Sequence, residues 1–171
     1  MIDVTEIQVD KDLANDKITV TKHFNAKPDL VWSAWTKKDV LDQWWAPKPW
    51  RAETSKLELK EGGSWQYAMV GPEDERQHGK FQYTKVHALK SFEGTDSFTD
   101  EKGFINPEMP QANWKVDFRK AGAGTDVKVV ITSKTEGALQ RLLDMGFEEG
   151  FKMGLANLDE YLERAQEEVS S

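Results

Sequence analysis

Three histidines, His23, His78 and His87, are the first residues to weigh for chemistry, since imidazole serves both proton transfer and metal ligation near neutral pH. They fall on separate strands or turns and lack the paired spacing of a helical metal site. Among the other acid-base candidates, Tyr67, Tyr83 and Asp117 lie within alternating apolar segments and could reach an interior. The chain has no Cys, which removes thiolate ligands, disulfides and a cysteine nucleophile together.

Phosphate and dinucleotide chemistry fare no better. Gly122 and Gly124 lack the third glycine and following helix of a dinucleotide fingerprint, so they read as a hairpin turn. Gly79-Lys80 has neither the upstream glycine nor the following hydroxyl of a phosphate loop. The pairs Glu148-Glu149 and Glu167-Glu168 read as a solvated helix face and a helix end. The expectation is no catalytic motif, no metal and no cofactor, which favours a chain that is not an enzyme and leaves the enzyme question open.

Aromatic side chains are abundant: seven Trp, eight Phe and three Tyr in 171 residues. Small-molecule sites are mostly apolar with a few polar groups that orient the ligand, which aromatics with a polar handle supply. Trp65, Tyr67, Phe81, Tyr83, Trp114 and Phe118 all sit on alternating segments. Trp44 and Trp45 are adjacent near a helix end, where neighbours point about 100° apart, so at least one is expected at a pocket rim. Trp32 and Trp35 read as packing, and Trp50 is unassigned.

Among the elements that would position these residues, 1–16 read as an arm or short leading strand. Ile18 and Val20 alternate with Thr19 and Thr21 in a strand from Lys17. Pro28 and Asp29 suit the first turn of a short helix through Trp35. Thr36 and Asp39 have the spacing of a reciprocal cap, starting a second helix that ends near Pro47. About six antiparallel strands follow. Their clearest marks are the Glu61–Ser64 turn, the alternation of Trp114, Val116 and Phe118, and that of Val127, Val129 and Ile131. A proline-bearing loop at Asn106–Pro110 interrupts them.

From Gly137 to Gln166 the apolar residues Leu139, Leu143, Phe147, Phe151, Leu155, Leu158 and Leu162 recur every three or four positions, predicting one long amphipathic helix. Residues 167–171 read as frayed. Gly146, Gly150 and Gly154 would stack along one row of that helix at a cost of about 3 kcal/mol relative to Ala. Two compensations are open: close approach to the sheet or the short helices, or a cavity held open beside the helix. The whole is an α+β domain over 17–166, with helices on one face of an antiparallel sheet.

Formal charge is −7, from 23 Lys plus Arg against 30 Asp plus Glu. This argues against a phosphate-backbone partner, and thus against nucleic acid. No apolar run approaches the roughly 18 residues of a membrane span, and the polar, acidic start has no secretory pattern. A cytoplasmic location and no membrane insertion are expected; monomer and homodimer stay open.

The segments FNAKPDLVWSAWTKKDVLDQWWAP, LELKEGGSWQY, DEKGFINPEMP and MGFEEGFKMGLANLDEYL together resemble bacterial homologues of the activator of heat-shock-protein-90 ATPase, in the START-like (SRPBCC) superfamily. The likeness spans Ile18 to Leu162. It implies a helix-grip fold, a curved antiparallel sheet wrapped around a long C-terminal helix, with a largely apolar cavity between them. By that likeness Trp44, Trp45, Trp65, Gly62, Gly63, Gly150 and Phe151 match family positions, none of them catalytic. The ligand-binding candidates are Trp44, Trp45, Trp65, Tyr67, Phe81, Tyr83, Trp114, Phe118, Gly150, Phe151 and Gly154. The expected function is binding of a small hydrophobic or amphipathic ligand. A co-chaperone-like interaction with a chaperone partner, in keeping with a stress-response role, is one alternative, and an enzyme using the same cavity is another.

Overall fold

A computed structural model describes residues 7–170, with side chains described to 167. Eight strands form one antiparallel sheet: β1 (Gln8–Asp12), β2 (Lys17–Phe24), β3 (Arg51–Leu57), β4 (Ser64–Val70), β5 (Arg76–His87), β6 (Ser91–Thr99), β7 (Ala112–Ala121) and β8 (Gly124–Ser133). Their order is β1-β2-β8-β7-β6-β5-β4-β3, so the sheet is open, with β1 and β3 at its edges. The helices are α1 (Pro28–Thr36), α2 (Lys38–Trp44), α3 (Ala138–Asp144) and α4 (Phe147–Ser170). This is the α+β helix-grip architecture, a curved sheet holding a long terminal helix.

The part of the expected arm that falls within 8–12 is a strand, with Gln8 opposite Thr21 and Asp12 opposite Lys17. Residues 1–6 of that arm lie outside the described residues. At the other end α4 is described to Ser170, and residue 171 of the expected frayed end lies outside the described residues.

Alternation decides which side chains face the helices. In β7, Ala112, Trp114, Val116 and Phe118 are buried, and in β8 Val127, Val129 and Ile131 are buried. On α4 the stripe Phe151, Leu155, Leu158 and Leu162 closes over them. Pro28 opens α1 as expected, where its missing N–H costs nothing. The expected cap of α2 does not form. Thr36 instead ends α1, its hydroxyl donating to the Trp32 carbonyl at 2.7 Å, and Lys37 precedes α2 with no side-chain cap.

The single helix expected over 137–166 is two. Gly146 adopts φ +90, a left-handed conformation that glycine enters without a Cβ penalty, and separates α3 from α4. Its N–H donates to the Leu143 carbonyl at 3.0 Å, which closes α3. Glu148 and Glu149 then sit in the first turn of α4, where the helix dipole favours negative charge. Gly146 is therefore a terminator and carries none of the interior-glycine cost.

Candidate functional site

A cavity of about 230 Å³ lies where α3, α4 and the end of α2 meet β4, β5, β6 and β7. A void of roughly 150 Å³ already houses benzene in a protein interior, so this one admits a substituted ring. Its helical wall is Leu142, Met145, Phe147, Gly150 and Phe151, and its sheet wall includes Tyr67, Met69, Asp96, Phe98 and Trp114. Trp45 and Pro47 complete the wall just after α2. Met145 is about half exposed, which puts one edge of the cavity at the protein surface.

Of the residues expected from sequence, Trp45, Tyr67, Trp114, Gly150 and Phe151 meet at this cavity. Gly150 keeps it open: a Cβ added there would touch nothing nearer than Pro47 Cγ at 3.8 Å. Gly154, one turn further along α4, has the opposite surroundings. A Cβ there would lie 3.1 Å from the Trp45 carbonyl oxygen and 3.3 Å from that of Trp44, so this glycine serves close approach of α4 to α2. The two compensations left open by the sequence are both realised, at different glycines.

Trp44, Trp65, Phe81, Tyr83 and Phe118 do not line the cavity and are held in the surrounding core by other contacts. Trp44 is fully buried, donates Nε1–H to the Ala34 carbonyl at 2.8 Å and packs edge-on against Trp35. Trp65 stacks on Tyr67 with ring centroids 4.3 Å apart. Its indole N–H is held at 3.0 Å by Thr54 Oγ1, which in turn donates to Asp42 at 2.6 Å. These contacts make Trp65 a buttress for the Tyr67 ring. Phe81 and Tyr83 pack with Phe92, while Phe118 packs against Trp32 at 5.1 Å, toward the α1 side.

The polar feature that sequence reading missed is Asp96. On β6 it shares the inward set with Phe92, Gly94 and Phe98, and that charge in an apolar alternation is the one signal that could have singled it out. Tyr67 Oη donates to Asp96 Oδ1 at 3.1 Å, spanning from β4 across β5. Gly79 on β5 pairs with Tyr67 and makes the crossing possible: a Cβ there would sit 2.8 Å from Tyr67 Cζ and Oη.

Burial pushes the Asp96 carboxyl up from its ordinary value of 3.8 to about 7, although the Tyr67 hydrogen bond acts the other way. The Tyr67 phenol is raised well above its usual range, first by burial and then by the neighbouring carboxylate. Burial likewise raises Tyr83. Trp45 and Trp114 border the cavity with their rings. The buried indole nitrogens of Trp45 and Trp114 have no well-formed hydrogen bond among the described residues, although the Trp45 N–H is close enough to the Tyr67 oxygen to favour its ionised form.

The remaining acid-base candidates are placed elsewhere. His78 borders the cavity but belongs to the outward alternate set of β5 with Lys80 and Gln82. Asp117 belongs to the outward set of β7 and is not part of the wall. His23 pairs with Asp126 at 2.7 Å, and His87 is exposed. Among the described residues no group of three or more His, Asp or Glu converges as a metal site, and no helix is long and apolar enough to cross a membrane.

Comparison with known proteins agrees with this architecture. The chain is similar to the crystal structure of a Mycobacterium smegmatis protein, at 30% identity and a TM-score of 0.82, covering 93% of this chain and 96% of that one. It is also similar to the solution structure of an Arthrobacter aurescens protein, at 29% identity and a TM-score of 0.87, covering 94% and 93%. A Staphylococcus epidermidis protein matches at 28% identity and a TM-score of 0.78, covering 94% and 95%. No curated protein matches. The family model for "Activator of Hsp90 ATPase homolog 1-like protein" matches residues 25–163, which include both short helices, β3 to β8 and most of α4. The chain belongs to that family.

Proposed function

We propose that the protein binds a small apolar or amphipathic molecule in the cavity between the sheet and α4. The observation that carries this reading is the void itself: about 230 Å³, walled by Trp45, Trp114, Phe147 and Phe151, with the hydrogen-bonded pair Asp96 and Tyr67 on its sheet side. Interiors are otherwise close-packed, and a void of this size forgoes dispersion contacts that a ligand would restore.

The test is a titration with 2-phenylethanol, followed through the indole N–H resonances. Saturable shifts are expected for Trp45 and Trp114 and not for Trp32, which packs against Phe92 and Phe118 away from the cavity. Gly150→Leu places a side chain into the void and should weaken binding at least tenfold. Unchanged binding in that variant overturns the reading.

A second reading, chemistry on a ligand in the same cavity, is favoured by Asp96. A carboxyl held at about 7 can give or take a proton near neutral pH, as general acid-base catalysis requires. The co-chaperone-like reading rests on family membership alone.

A further inference from the structure

Asp96 presents a carboxyl to an aromatic enclosure with no cation beside it. Among the described residues it makes no ion pair, and its side-chain hydrogen bond is the one that Oδ1 accepts from Tyr67. Oδ2 has no protein partner among those residues. Of the side chains bordering the cavity, the titratable ones are Asp96, Tyr67 and His78, and the residues that α3 and α4 supply are uncharged. When Asp96 ionises, no Lys or Arg among the described residues borders the cavity to balance the charge.

We propose, resting on the ligand-binding reading above, that the cavity selects an organic ammonium, a cationic amine with an apolar body about the size of a single substituted ring. The ammonium sits on Asp96 Oδ2, and the body lies among Trp45, Trp114, Phe147 and Phe151.

The ring cluster suits this occupant. The centroids of Trp45 and Trp114 are 5.9 Å apart, Phe151 lies 6.2 Å from the first and 5.5 Å from the second, and Phe147 stacks on Phe151 at 5.4 Å. Aromatic faces attract cations through their quadrupole, Trp most strongly, and the attraction grows when water is excluded. A buried carboxylate is stable when paired and hydrogen-bonded, and the ammonium supplies the missing charge while Tyr67 supplies the hydrogen bond. A neutral alcohol can donate to Asp96 but leaves the charge unbalanced, and an anion meets repulsion. The net charge of −7 attracts cations over a longer range.

The experiment compares three probes of one shape, 2-phenylethylamine, 2-phenylethanol and phenylacetate, read through the indole N–H resonances of Trp45 and Trp114. At pH 8.5 the amine is expected to bind at least tenfold more tightly than the alcohol, with phenylacetate weakest. Amine affinity should fall at least tenfold between pH 8.5 and 5.5 as Asp96 takes up a proton, while alcohol affinity stays within about twofold. Asp96→Asn should bring the amine to the level of the alcohol. If that variant does not fold, the pH comparison on the unaltered chain decides the question.

Alcohol or phenylacetate binding as tightly as the amine at pH 8.5 overturns the ammonium assignment and leaves the cavity reading standing. If none of the three probes shifts either indole resonance, both fail.

Discussion

The Tyr67 hydroxyl meets Asp96 at 3.1 Å across an intervening strand, and it does so over a residue without a side chain, Gly79. The hydrogen bond and the glycine are one device. A side chain at 79 and the Tyr67 ring cannot occupy the same space, because a Cβ there would fall 2.8 Å from the ring.

Gly79→Ala should therefore displace the Tyr67 ring and break the bond to Asp96. Since that bond lowers the Asp96 carboxyl, its titration should move further up, and Tyr67→Phe should move it in the same direction. Overpacking adds about 1–3 kcal/mol of destabilisation in the alanine variant. Carboxyl carbon shifts followed against pH check the direction, and an unmoved Asp96 midpoint in both variants refutes the coupling.

Stability should depend on pH through Asp96 in a definite sense. A folded-state value of about 7 against an ordinary 3.8 means that the folded protein holds this proton more tightly than the unfolded chain. The resulting stabilisation is complete below about pH 4 and is lost as pH rises through 7. Asp96→Asn keeps an acceptor for Tyr67 and does not titrate. Relative to the unaltered chain it should gain roughly 1–3 kcal/mol between pH 4 and 8. Urea midpoints of both proteins at the two ends of this range measure it.

Gly150 and Gly154 share a helix row and should respond oppositely to alanine. At 150 the added methyl meets ordinary contact distance, so the helix gains about 0.5–1 kcal/mol. At 154 it meets the backbone carbonyls of Trp44 and Trp45, which cannot swing aside, so α4 is pushed from α2 at a cost of about 1–3 kcal/mol. Thermal unfolding of the two variants should show opposite shifts in Tm of a few degrees.

Lys22 occupies an inward position of β2, between Val20 and Phe24, and is almost fully buried. Its Nζ lies 2.8 Å from Asp159 on α4 and 5.1 Å from the Phe24 ring centre, which ties the terminal helix to the sheet. Burial raises Asp159, and the Lys22 ammonium opposes that rise. Lys22→Met leaves the carboxylate without this cation and should cost about 3 kcal/mol at pH 7. The loss should shrink as pH falls and Asp159 is protonated. A penalty that is constant from pH 4 to 7 contradicts the pairing.

The strands, the short helices and the apolar stripe of α4 were legible because they depend on periods of two and 3.6, which the order of Trp114, Val116 and Phe118 or of Phe151, Leu155 and Leu158 displays directly. The break at Gly146 was less so. Its signal is local, a glycine followed by Phe147, Glu148 and Glu149, but the unbroken helical spacing of the apolar residues masks it. Six aromatic or glycine positions expected at the cavity do not line it, since alternation shows which face is inward but not which inward residues border a void.

The sequence alone determined the class of fold, the concentration of aromatics on its inner face and the family resemblance. Only the tertiary structure decided where the space remains. A cavity is what packing leaves unfilled, summed over contacts between segments far apart in the chain. Gly150 and Gly154 are alike in sequence and opposite in surroundings for that reason. Asp96 gains its hydrogen bond from a tyrosine 29 residues away, and its chemistry from the burial that the whole fold imposes.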